Sequence, residues 1–282
     1  MLLFPFAKIN LGLNVVERRQ DGYHNIETVF YPIPITDALE VHTMSEAFPL
    51  NVSCSLKVTG VKELCDERKN LVVKAYDLLA KDFTLPRVYA HLHKDIPSQA
   101  GMGGGSSDAA FMLRILNEQF SLGLSPKKLQ EYAACLGADC AFFTTASLNN
   151  PQPVYATGIG DILQPFNEPW HILDGKWIAL VKPNVAVSTA EAYAGITPRN
   201  PSKCCKDIIM QPVPTWRDEL TNDFEQSIFQ KLPLLSQVKE TLYDNGAIYA
   251  AMSGSGSTVF GIFDEEPQLP EISDTFTAKF KL

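Results

Sequence analysis

Pro97 to Ala110 reads P-S-Q-A-G-M-G-G-G-S-S-D-A-A, and no other stretch of the chain restricts its fold as tightly. Gly101, Gly103, Gly104 and Gly105 crowd together ahead of Ser106, Ser107 and Asp108, which open a run rich in alanine and leucine. Residues without Cβ let a backbone turn sharply and bring its N–H groups close to a ligand. A helix start behind them adds unpaired N–H groups and the positive end of a dipole, both of which attract anions. The combination predicts a phosphate cradle, and so a nucleotide. The plain alternative is a glycine-rich surface turn capped by Ser106 or Ser107.

Two familiar glycine loops do not fit. A Walker A loop ends in Gly-Lys-Ser/Thr so that the lysine reaches the terminal phosphates, whereas Gly105 is followed by Ser106 and no lysine comes after it. A dinucleotide-binding loop needs G-x-G-x-x-G; counted from Gly101, the third glycine position holds Ser106. The protein-kinase glycine loop fails for the same reason.

Charge and cysteine usage bound the partners. A formal charge of −8 over 282 residues argues against a nucleic-acid-coating surface. A few local lysines and backbone amides can still hold a small anion. Cys54, Cys65, Cys135, Cys140, Cys204 and Cys205 show no zinc-ligand spacing, so they read as reduced thiols of a cytoplasmic protein. No apolar run approaches the length of a membrane span, and the first residues lack the basic leader of a signal peptide.

The first half reads as strand-rich. Residues 6–16 alternate Ile9, Leu11 and Leu13 with Lys8, Asn10 and Asn14, as a half-buried strand does. Residues 28–35, 38–43, 50–58 and 88–96 are further β-like runs, and 70–81 and 107–120 have helical periodicity. Ser125-Pro126 starts another helix, with Gly137 as its left-handed stop. Asn149 to Pro153 is the candidate domain boundary. Beyond it, 176–183 reads as strand and 188–194, 216–232 and 233–245 as helices. Residues 247–252 and 258–263 form a hairpin around Ser253-Gly254-Ser255-Gly256-Ser257, giving an antiparallel sheet backed by helices.

Other short segments could carry chemistry, each with a plain reading beside it. Lys8 is either a solvated strand-face lysine or a site cation. Asp139, set in L-G-A-D-C-A-F-F, either caps the next helical turn or stands as a carboxylate in an apolar neighbourhood. Asp21-Gly22-Tyr23-His24 is a loop tip or an aromatic-imidazole recognition turn. His91 and His93 share a strand face without a third ligand, so they read as surface residues.

Taken together, the A-K-I-N strand, the P-S-Q-A-G-M-G-G-G-S-S-D-A-A loop and the M-S-G-S-G-S-T-V-F loop resemble the GHMP kinase superfamily over the whole chain. The D-G-Y-H turn and L-G-A-D narrow the resemblance to the branch that phosphorylates a cytidylyl-tagged alcohol on the non-mevalonate route to isoprenoid precursors. The resemblance implies an α+β fold with two domains. Residues 1–152 would form a ribosomal protein S5 domain 2-like ATP-binding domain, and 153–282 a ferredoxin-like one.

It also implies roles. Asp139 and Lys8 would be catalytic, the lysine keeping the carboxylate ionised. Pro97, Ser98, Gln99, Ala100, Gly101, Met102, Gly103, Gly104, Gly105, Ser106 and Ser107 would hold ATP, with Ser106 or Ser107 near Mg²⁺ and the rest of the metal shell unassigned. His24 would meet the cytosine edge, Tyr23 and Tyr193 its faces, and Asn10 the polyol or phosphate. Gly254, Ser255 and Gly256 would close over the substrate phosphates. Two rival readings stay open: a homoserine- or mevalonate-type kinase of the same family, and a non-catalytic nucleotide-binding module.

Overall fold

A computed structural model describes residues 1–45, 47, 51–61, 66–166, 170–269 and 274–282. Leu50 of the 50–58 strand and Cys65 lie outside the described residues. The chain forms two compact units, each built from separate stretches. The first takes Met1–Ala7, Ile35–Ser98 and Gly103–Pro151; the second takes Lys8–Pro34, Gln99–Met102 and Gln152–Leu282. The proline-rich stretch holds the crossing at Pro151, while the chain also passes between units after Ala7, Pro34, Ser98 and Met102.

In the first unit, strands β1 (Leu2–Leu3), β4 (Ala38–Thr43), β6 (Val88–Lys94) and β5 (Cys54–Gly60) lie in that order in one sheet. β4 runs antiparallel to β6, and β5 runs parallel to it. The unit's helices are α1 (Leu71–Leu79), α2 (Gly104–Gln119), α3 (Pro126–Ala134) and α4 (Cys140–Thr145). Asn70 caps α1 by accepting from the Val72 N–H, and Ser125 caps α3 with Pro126 in its first turn. Such caps satisfy donors a helix leaves over and contribute about 1 kcal/mol each. α3 ends at Ala134, and Gly137 is absent from the glycines with positive φ, so it is not the left-handed stop its position suggested. α2 buries Ala109 to Leu113 together with Ile115 and Leu116, an apolar surface running nearly all the way round. A helix of that pattern belongs inside a core. Phe6 meets Phe111, Phe142 and Phe143 edge-on, with centroids 5.8, 6.0 and 5.4 Å away.

Strands β2 (Phe6–Arg18), β3 (His24–Thr36), β7 (Val154–Thr157) and β8 (Ile162–Pro165) follow in order in a second sheet. Residues 8–18 of β2 and 24–34 of β3 belong to the second unit, with all of β7 and β8. β2 is buried on both faces through Val15, so Lys8, Asn10 and Asn14 are interior residues, not the wet side of a half-buried strand. The same unit contains the all-antiparallel sheet β10 (Tyr249–Met252), β11 (Val259–Phe263), β9 (Trp177–Pro183) and β12 (Thr275–Lys281). Its order, second–third–first–fourth along the chain, is ferredoxin-like.

The helices of this half are α5 (Thr189–Ala194), α6 (Cys205–Ile208), α7 (Trp216–Glu219), α8 (Phe224–Lys231) and α9 (Pro233–Asp244). The single helix expected over 216–232 is therefore broken between α7 and α8. Residues 221–223 pair with β2 instead: Leu13 N–H donates to the Thr221 carbonyl at 2.9 Å, and Asp223 N–H to the Leu13 carbonyl at 2.8 Å. Backbone groups committed to a neighbouring strand cannot close helical turns.

Candidate active site

In the first unit the glycine loop empties into α2. Gly103 is left-handed at φ 70°, which suits a residue without Cβ, and serves as the N-cap. Ser107 N–H bonds the Gly103 carbonyl at 2.8 Å, so the helix leaves over the amides of Gly104, Gly105 and Ser106. Gly105 is exposed, and a Cβ there would meet nothing nearer than a Leu71 methyl at 3.9 Å. Ser107 Oγ is buried and has no hydrogen-bond partner.

The loop's entry and exit are tied together by charges that the sequence reading did not single out. Lys94 ends β6, just before the loop, and its ammonium donates to Asp37 Oδ2 and, at 2.7 Å, to Asp108 Oδ2 in the first turns of α2. Asp37 Oδ1 accepts from the backbone N–H groups of Asp95 and Ile96 at 2.7 and 2.9 Å. All three side chains are essentially excluded from water. Burial pushes the Asp108 carboxyl well above its ordinary range; burial also opposes the Lys94 charge, but the two carboxylates outweigh it and hold that ammonium above its usual value. A lysine directly ahead of a glycine loop was the available signal, but its partners are 57 and 14 residues away.

Asp139, in the same unit, is the N-cap residue of α4, yet its side chain makes no capping hydrogen bond. The plain role suggested for it is thus absent. Cys140, next in sequence, has its thiol pushed up to about 12 by burial.

The second unit holds the strand lysine and the other glycine turn. Lys8 is only 3 % exposed, which excludes the solvated reading. Its ammonium donates to Asn10 Oδ1 at 2.6 Å and lies 3.5 Å from the Gly101 carbonyl and 4.9 Å from the Phe30 ring centre. Residues 99–102 interlock with the turn after β10. Ser253 Oγ donates to the Gly101 carbonyl at 2.8 Å and accepts from Asn10 N–H at 3.2 Å, while Thr258 N–H donates to the Ala100 carbonyl at 3.2 Å. Gly101 has φ 72°, and a Cβ there would overlap the Ser253 carbonyl. Lys8, Asn10, Gly101 and Gly254 therefore meet in one place, a convergence the alternation of β2 gave no hint of. The turn itself is pinned by Asn222, whose amide donates to the Met252 and Gly254 carbonyls at 2.7 and 2.8 Å.

At the far end of β2, Asp21 shapes the aromatic turn by accepting from Tyr23 N–H and pairing with Arg19. Tyr23 is 61 % exposed. His24 stacks on Tyr193, centroids 4.7 Å apart and planes 16° from parallel, and Tyr193 stands edge-on to Phe224 at 4.9 Å. Tyr193 sits on α5, which begins with the Ser188–Glu191 capping box. Burial, then the charge of Arg18, lowers the His24 pKa. His91 and His93 both bond Thr59 Oγ1, at 2.9 and 3.0 Å. Among the described residues no group of three or more His, Cys, Asp or Glu side chains is arranged to hold a metal ion, and no helix is long and apolar enough to cross a membrane.

A glycine-loop helix start in an α+β unit, followed by an antiparallel ferredoxin-like sheet, is the architecture of a family of small-molecule kinases. The GHMP kinases N terminal domain matches residues 70–147 and the GHMP kinases C terminal domain matches residues 212–282, and the chain belongs to the GHMP kinases. A Bacteroides fragilis relative, 51 % identical over 99 % of this chain and 97 % of its own length, is a 4-diphosphocytidyl-2-C-methyl-D-erythritol kinase. So is one from Porphyromonas gingivalis, 47 % identical over 98 % of this chain and 97 % of its own. A crystal structure of 4-(cytidine 5'-diphospho)-2C-methyl-D-erythritol kinase is similar at TM-score 0.73 and 32 % identity, covering 93 % of this chain and 90 % of that one. A mevalonate kinase structure, 12 % identical at TM-score 0.62 and covering 93 % and 91 % of the two chains, shares the fold.

Proposed function

We propose that this kinase transfers the γ-phosphoryl group of ATP to the 2-hydroxyl of 4-diphosphocytidyl-2-C-methyl-D-erythritol, in the cytoplasm. The observation that carries the reading is 51 % identity, along nearly the whole of both chains, to a relative of that name. The residues fit the chemistry. Phosphoryl transfer asks mainly for positioning and charge stabilisation. In the half spanning 1–152, residues 97–107 hold the triphosphate, with the left-over amides of Gly104, Gly105 and Ser106 meeting its oxygens. The partnerless buried Ser107 hydroxyl suits a hard cation, and either it or Ser106 would hold Mg²⁺, which when bound neutralises phosphate charge. Asp139 accepts or orients the proton of the attacking hydroxyl, and Lys8 supplies positive charge for the transfer.

Specificity comes from the aromatic turn. His24 hydrogen-bonds the cytosine edge, and Tyr23 and Tyr193 supply faces for stacking. Asn10 has one Nδ2 hydrogen left for a substrate oxygen, and Gly254 to Gly256 close over the diphosphate. Incubation with MgATP and the cytidylyl methylerythritol is expected to yield ADP and a phosphorylated product, whereas homoserine and mevalonate give none. Asp139→Asn is expected to lower turnover by about 10²–10⁴-fold, the usual worth of a positioned acid–base group, with ATP binding kept. Undiminished turnover in that variant removes Asp139 from the mechanism.

A further inference from the structure

Beside Lys8, a relay of hydrogen bonds crosses from β2 to β3 and back, and only one polarity satisfies it. The Gly12 carbonyl can only accept, and Thr28 Oγ1 donates to it at 2.5 Å. A hydroxyl carries a single hydrogen. With that hydrogen committed, Thr28 can meet Asn10 only as an acceptor, and Asn10 Nδ2 lies 2.9 Å from Thr28 Oγ1. The Asn10 amide must therefore turn its NH₂ to Thr28 and its oxygen to Lys8, where Oδ1 is 2.6 Å from the ammonium. Reversing the amide would set NH₂ against ammonium and leave two lone-pair oxygens facing each other. Water is not at hand to repair the Thr28 side of that, because Thr28 is 0 % exposed. Unsatisfied polar groups at such depth are costly.

We propose that Thr28 is a positioning residue for phosphoryl transfer: through Asn10 it fixes which end of the amide Lys8 meets, and so where the ammonium is held. The proposal rests on the reading of Lys8 as the charge partner in catalysis. Thr28 touches neither Lys8 nor any reacting atom in this scheme. It acts because the direction of one backbone carbonyl is passed through a hydroxyl and an amide to the cation. A side chain of the same shape without the oxygen would fill the site and break the relay.

The test compares Thr28→Val, Thr28→Ser, Lys8→Met and Asn10→Ala by steady-state kinetics, with thermal melts as a check of folding. Thr28→Val is expected to lower kcat about tenfold, the rate equivalent of about 1.4 kcal/mol, with KM for ATP changed by less than about twofold. Thr28→Ser keeps donor and acceptor and is expected to restore kcat. In an Asn10→Ala background, Thr28→Val is expected to add no further loss, because the relay is already cut. Should Thr28→Val not fold, Thr28→Ala removes the same oxygen and is read in its place. Wild-type kcat in Thr28→Val, an equal loss in Thr28→Ser, or fully additive losses with Asn10→Ala would each overturn the proposal while leaving Lys8 in its role. Undiminished kcat in Lys8→Met would overturn both together.

Discussion

Lys94 is surrounded by two carboxylates in a place water does not reach, and the arithmetic of that site decides what its removal does. Two buried carboxyl groups share one ammonium, so the ammonium is the element that makes the others tolerable. Breaking a buried ion pair from one side typically costs about 3–5 kcal/mol. Lys94→Met is therefore expected to lower the unfolding free energy by about that much in denaturant titration. Asp108→Asn keeps the shape and leaves the Lys94–Asp37 pair in place, so it is expected to cost clearly less. Equal losses would mean that packing, not charge, holds this corner.

His24 sets a different expectation. Burial and Arg18 lower its pKa, so the neutral ring persists below the ordinary imidazole value of about 6.5. Between the folded and ordinary values the unfolded chain binds more protons, so this group's contribution to stability is lost as pH falls through that window. The proposed recognition of the base by His24 follows the same sign. KM for the cytidylyl substrate is expected to stay flat down to about pH 6.5 and to rise below it, with KM for ATP unmoved. A rise on the alkaline side would exclude His24 as the responsive group.

The glycine loop and the helix behind it separate folding from binding at neighbouring positions. Gly105 lies in the first turn of α2, where a Cβ would meet only a Leu71 methyl at an ordinary 3.9 Å. Alanine there is expected to leave stability unchanged or raise it by about 0.5–1 kcal/mol, since glycine is the costlier helix residue. On the proposed reading the same methyl would stand where the triphosphate approaches the left-over amides, so KM for ATP is expected to rise about tenfold, or roughly 1.4 kcal/mol. Gly101→Ala behaves in the opposite way. Its φ of 72° and the Ser253 carbonyl in its path make the substitution strained without any ligand. Melting curves and ATP titrations on the two variants check both halves. An unchanged KM in Gly105→Ala would move the phosphates away from this helix.

These elements were legible in the sequence to different degrees, for identifiable reasons. Local chemistry marks the caps at Asn70 and Ser125, because each is settled within a few residues. The break between α7 and α8 is settled by Leu13, more than two hundred residues away, and helical periodicity cannot register it. The burial of Lys8 is likewise set by what covers the second face of β2. Asp37, Thr28 and Asn222 matter through partners that only the folded chain supplies.

On the proposed reading an acidic chain binds two anionic nucleotides against its mean field, and the local groups named above would reverse the sign. The formal charge is −8, while the proposed contacts to phosphate are backbone amides, which carry no charge to be screened. Each nucleotide that binds only the folded form stabilises it by mass action, about 2.7 kcal/mol at a hundredfold excess over Kd. At about 2–4 °C per kcal/mol for chains of this size class, CDP and an unreactive ATP analogue are each expected to raise the melting temperature by roughly 5–10 °C. UDP, with a different edge facing His24, is expected to do less. His24→Ala is expected to abolish the gap between CDP and UDP while the ATP-analogue shift persists, because the proposed function gives the base to the aromatic turn and the triphosphate to the glycine loop. An equal loss of both shifts would mean that the substitution acts on the fold as a whole, and base recognition would then have to be sought away from the turn of Tyr23 and His24.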